Sequence, residues 1–84
     1  MQDIIDAKYI DSYKIHLFFE DKTNGIVDFE EYIGKGEVFT NFSNINYFKN
    51  FYINKDIGTI CWGNNVDISP ETLYSKVIKK DLSS

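Results

Sequence analysis

Hydrophobic and polar positions alternate most clearly over residues 14–20, where Ile15, Leu17 and Phe19 interleave with Lys14, His16, Phe18 and Glu20. Successive side chains of a strand point to opposite faces, so this run predicts a strand with one buried and one wetter face, Phe18 and His16 lying on the latter. Residues 3–11 form a second β-rich run, and Asp11-Ser12 between the two suits a turn, which together predict a hairpin. The polar stretch Asp21-Lys22-Thr23-Asn24-Gly25 ends in Asn-Gly, where positive φ costs little, and predicts a loop. A third strand is expected over residues 26–30, with Val27 and Phe29 inward and Asp28 outward.

Gly34-Lys35-Gly36 breaks the pattern, and Glu37-Val38-Phe39 reads as a brief extended piece. Ser43 or Asn44 is placed to cap a short helix over residues 45–50, with Phe42, Ile45 and Phe48 on one side. Residues 51–54 and 59–62 predict a second hairpin around Lys55-Asp56-Ile57-Gly58. After a turn at Gly63-Asn64-Asn65 comes a short apolar segment, residues 66–68. The clearest helix signal is the last: Ser69 at the N-cap, Pro70 at the first helical position where its missing N–H costs nothing, and Glu71 in the first turn. Leu73, Tyr74, Val77 and Ile78 then form an apolar stripe, which predicts a helix over residues 70–79 facing a sheet. The class expected is α+β: a small antiparallel sheet, built from a hairpin with a third strand and then a second hairpin, with a C-terminal α-helix packed on it and a short middle helix.

With 84 residues the chain supports a single domain over 1–84, its ordered core about 3–80 and a flexible tail at 81–84. At this size folding buries only about 60–65% of the surface of the unfolded chain. An aromatic share of 17% is more than such a core encloses, so some aromatic surface is expected outside, and exposed apolar patches mark protein contacts. The net charge is −4, and all nine basic residues are lysines scattered along the chain. Lacking arginine, the fork that grips phosphate and reads guanine, the chain is not expected to bind nucleic acid. A single cysteine, Cys61, excludes an internal disulfide and points to a reducing, cytoplasmic setting. No apolar run approaches the length of a membrane span, and the first residues lack the features of a signal peptide.

Several residues resemble a known family. They are Asp28 after a Gly-initiated strand, Gly36-Glu37-Val38-Phe39, Phe48, and the long run from Gly58-Thr59-Ile60-Cys61-Trp62-Gly63-Asn64-Asn65 through Val66-Asp67-Ile68-Ser69-Pro70-Glu71-Thr72-Leu73-Tyr74. Together they are similar to a family of small bacterial proteins known as domain of unknown function 2442, and the resemblance covers residues 5–78. It implies an α+β domain with an antiparallel sheet and no assigned activity. It also implies a setting beside another small protein, in arrangements that look like toxin–antitoxin pairs. The chain departs from the family where Gly63 follows the tryptophan, a place at which members often carry proline.

Candidate chemistry is sparse. His16 is the only histidine, and Glu20 or Asp28 would have to orient it for acid–base work, with Cys61 as the imagined nucleophile. A solvent-facing or packing histidine and a cysteine acting as a small hydrophobe are the readings preferred. The carboxylates show neither calcium-loop nor His-carboxylate spacing, so no metal, cofactor or catalytic residue is assigned. The alternative retained is a small enzyme or metal-dependent hydrolase built on His16. The most distinctive corner is structural in first reading: Trp62 holds the C-terminal helix to the sheet, Asn64 takes a left-handed turn, and Asp67 receives N–H groups near the helix start. Asp28, Ser69 and Pro70 complete that structural set. In the functional reading Trp62, Asn64, Tyr74 and Phe18 contact a partner. The function expected is a non-catalytic interaction or assembly module, the antitoxin-like half of a two-gene pair, whose partner is a neighbouring-gene product or a second copy of itself.

Overall fold

The computed structural model describes residues 2–33, 37–63 and 66–82, the side chains of 37–39 and 79–82 excepted. Two three-stranded antiparallel sheets share one core. The first holds β1 (Ile4–Asp11), β2 (Lys14–Phe19) and β3 (Asn24–Asp28), in that order. The second holds β4 (Tyr52–Asn54), β5 (Thr59–Trp62) and β6 (Val66–Asp67). Between them run 3-10 turns over Phe29–Tyr32 and Glu37–Ser43 and a short helix α1 (Ile45–Lys49), and α2 (Pro70–Leu82) closes the chain. The α+β class and the antiparallel hairpins read from the sequence hold; the strands divide between two sheets, and the apolar segment at residues 66–68 supplies a sixth strand, β6.

In β2 the alternation becomes geometry: Ile15, Leu17 and Phe19 are buried, and His16 and Phe18 lie half-buried on the other side. The pairing of β2 with β3 is unbroken from Lys14↔Asp28 to Phe18↔Asn24. That of β1 with β2 slips twice, leaving Ile5 and Ile10 as extra residues in β1. A bulge of this kind turns the strand and sends the extra side chain outward, and both isoleucines are exposed.

Three local expectations need correction. The tight turn after β2 has its left-handed residue at Lys22 (φ 74°), not in Asn24-Gly25, and both of those belong to β3. Gly25 is needed for a different reason: a Cβ there would stand 2.8 Å from Cγ1 of Val77, so its absence lets α2 approach the strand. Glu37-Val38-Phe39 enters a 3-10 turn in place of an extended piece. The last helix runs on to Leu82 instead of stopping at residue 79, and Ile78 lies exposed although its spacing placed it on the packed stripe. A stripe spanning i to i+5 covers more of the helix circumference than one contact face, and Leu73 and Val77 are the residues that reach the core.

Helices α1 and α2 start where the sequence places their caps, and Asp28 adds a cap that it did not announce. Asn44 accepts from the backbone N–H of Asn46 and Tyr47 and starts α1. Asp28 Oδ1 accepts from the N–H of Glu30 and starts the first 3-10 turn. The Ser69 carbonyl accepts the first helical bond of α2 from Leu73 at 3.2 Å, and Pro70 is the first helical residue. Asp67 departs from expectation: among the described residues its carboxylate receives no bond from the helix start, and it sits exposed on β6 opposite Cys61.

Candidate interaction surface

The site candidates of the sequence do not converge. Trp62 is fully buried, and its indole Nε1 donates to the Phe48 carbonyl at 2.8 Å. Its ring meets Phe42 at 4.7 Å, Phe29 at 5.5 Å and Phe48 at 5.7 Å between centroids. Instead of clamping α2 to a sheet, it fastens the aromatic middle of the chain to β5, and it is not available to a partner in this fold. Asn64 lies outside the described residues; Gly63, just before it, is left-handed (φ 59°). Tyr74 is half-buried, its ring edge-on to Phe19 at 5.1 Å and its hydroxyl donating to Asp21 Oδ2 at 2.7 Å. That bond, with the Thr23 N–H also given to Asp21, holds the Asp21 carboxyl below its usual pKa.

Of the three that are described, Phe18 is the one on the uncovered face of a sheet. It lies on the outer face of the first sheet, stacked with His16 at 4.3 Å between centroids, with the Lys8 ammonium 5.9 Å from its ring centre. Ile26 of β3 is paired with His16, and the two bulged isoleucines of β1 are exposed on the same sheet, Ile5 the most open at 58% exposure. Half of the large apolar side chains exposed in the described structure therefore come from this one sheet. The sequence signal for Phe18 was its place out of step in the alternation. Ile5 and Ile10 carried no such signal, because a bulge is set by strand pairing and not by the run itself.

His16 Nε2 is 2.9 Å from the Asn24 side-chain oxygen, so the ring is tied to an amide carbonyl and not to Glu20 or Asp28. Cys61 is buried in β5, and its thiol is pushed to a higher pKa by that burial and by the Asp67 charge, the opposite of what activates a nucleophile. The Lys76 ammonium pairs with Glu31 and lies over the Tyr32 ring, 5.5 Å from its centre, which raises the lysine pKa through the Glu31 bond first. Among the described residues no group of three or more His, Cys, Asp or Glu could hold a metal ion. No described helix is long and apolar enough to cross a membrane.

The fold and this surface define a small α+β domain with a filled aromatic core and one open, partly apolar sheet face. The chain belongs to the protein family of unknown function DUF2442, whose model matches residues 4–79. No curated protein and no solved structure matches it.

Proposed function

We propose that this chain is a non-catalytic protein-interaction module of the bacterial cytoplasm, and that the outer face of its first sheet is the contact surface. The observation that carries the reading is that Ile5, Ile10 and Ile26 are all exposed on the sheet whose outer face carries the His16–Phe18 stack. Apolar side chains exposed together, with charged residues such as Asp6 and Lys8 beside them, have the composition of a contact patch with a polar rim. The partner is a second protein, the product of a neighbouring gene, with this chain as the antitoxin-like half of the pair. A reducing compartment suits the single buried thiol.

Co-expression with the adjacent open reading frame, one chain tagged, is the direct test. The expected result is co-purification at fixed stoichiometry, lost in an Ile5→Asp, Ile10→Asp variant that melts like the parent. A pair that never co-purifies, or one indifferent to both substitutions, removes the reading.

A further inference from the structure

The two edges of the first sheet are unlike. On β1, the Ile4 N–H donates to the Gly58 carbonyl at 2.9 Å, and the Ala7 N–H is taken by its neighbour's carboxylate, Asp6 Oδ1, at 2.8 Å. Together with the two bulges, these contacts close that edge to another strand. On β3 nothing comparable is present among the described residues. The flanking bonds Phe19 N–H to Thr23 carbonyl and Phe29 N–H to Tyr13 carbonyl fix the parity of the strand. Because the register between is unbroken, residues 23, 25, 27 and 29 turn their backbone groups toward β2, and Asn24, Ile26 and Asp28 turn theirs away. Among the described residues the N–H groups of Asn24, Ile26 and Asp28 and the carbonyls of Asn24 and Ile26 receive no backbone partner, the Asp28 carbonyl being turned into the 3-10 turn that Asp28 caps, and an open groove of about 210 Å³ is lined by Ile26, Val27, Asp28, Glu31 and Lys76.

We infer that this open edge pairs antiparallel with the same edge of a second copy of the chain, about a two-fold axis at Ile26, giving a continuous six-stranded sheet. The inference rests on the reading of the chain as an interaction module and adds to it a self-pairing edge and its register. What selects a second copy is self-complementarity in that register. Ile26 exchanges both backbone bonds with its symmetry mate, and at each end the Asp28 N–H of one copy donates to the Asn24 carbonyl of the other. On the outer face the isoleucines then pair at the centre. Asn24 gives its side-chain oxygen to His16 and keeps its amide N–H groups to offer, while Asp28 has one carboxylate oxygen engaged by Glu30 N–H and the other open to receive. One step further out, the same register carries Lys22 of each copy toward Glu30 of the other, placing opposite charges at both ends. The β1 edge offers no such match.

The test is sedimentation equilibrium of the full chain over a wide concentration range, with amide exchange read residue by residue. The parent is expected to form a concentration-dependent dimer in which the Ile26 amide exchanges slowly. Ile26→Lys, which leaves the β2 ladder untouched and sets two ammonium groups face to face, is expected to be monomeric with an unchanged melting curve. Lys22→Glu should weaken the dimer roughly tenfold, and Lys22→Glu with Glu30→Lys should restore it. A parent that stays monomeric at its solubility limit overturns the inference, as does a dimer indifferent to Ile26→Lys. So does an Ile26 amide protected only when a different protein is added, which would assign the edge to a foreign strand. A monomer that still captures the neighbouring-gene product defeats this inference alone, and a dimer that captures nothing defeats the heterotypic reading alone.

Discussion

Strands β2 and β5 sit in the middle of their sheets and are used in opposite ways. In β5 all four residues, Thr59 to Trp62, are buried, so both faces of that strand are inside the molecule. Even its polar residue is satisfied internally, the Thr59 hydroxyl donating to the Ile68 carbonyl. In β2 only one face is covered, and the other presents His16 and Phe18. Burial on both faces leaves a strand no side from which to act on anything else. The contrast teaches that the second sheet, with the aromatic middle, serves to hold the fold, while the first sheet holds the fold with one face and is left free with the other.

The sharpest way to break that contrast is at Trp62. Replacing it with Ala removes the ring at the centre of Phe29, Phe42 and Phe48 and leaves the Phe48 carbonyl without its donor. The expected loss is about 3–5 kcal/mol. A domain of this length is stable by roughly 4–12 kcal/mol, so the urea midpoint of the variant should fall steeply, and to zero urea at the low end of that range. A loss below about 1 kcal/mol, the range of ordinary surface changes, would mean that β5 is not the structural strand described.

Phe18→Ala sharpens the same contrast from the other side. Both residues are aromatic and both lie in central strands, yet Phe18 stacks on His16 beside the Lys8 ammonium on the half-exposed face. Its loss should cost no more than about 1 kcal/mol by the same urea titration. Binding to the partner, measured by calorimetry, should fall much further than stability does. A Phe18→Ala chain destabilised as badly as Trp62→Ala would show that the outer face is part of the core after all.

How much of this was legible in the sequence follows from the physics of each element. The alternation in β2 and the Ser69-Pro70 start of α2 are local signals, and both were readable because strand faces and helix ends are decided by residues close in the chain. Gly25 was misread as a turn glycine because its reason is Val77, far away along the chain. The bulges at Ile5 and Ile10 arise from the pairing of β1 with β2, and the role of Trp62 from helix α1 lying across it, so neither can be seen in a single run. Phe18 was the one candidate contact residue that periodicity alone placed outside. The open parity of β3 needed its register, which no property of residues 24–28 announces.

The smallest expected effect lies where the first sheet meets α2 at the surface, in the bond from the Tyr74 hydroxyl to Asp21. Tyr74 supplies the largest part of what lowers the Asp21 pKa, and the Thr23 N–H the next. A carboxyl whose folded pKa is lowered adds stability above its unfolded pKa, and that contribution fades as pH falls through the folded value. The tie should therefore act in full at neutral pH and fade below the ordinary carboxyl pKa of 3.8. Tyr74→Phe keeps the ring against Phe19 and removes only the donor, so parent and variant should differ slightly in urea midpoint at neutral pH and converge under acid. Because Asp21 is exposed, the difference is small and its pH dependence is the informative part. A gap between the two midpoints that stays constant from neutral to acid would mean that Tyr74 acts through packing alone, and α2 would then be held to the first sheet by Leu73, Val77 and the missing Cβ of Gly25 without help from this bond.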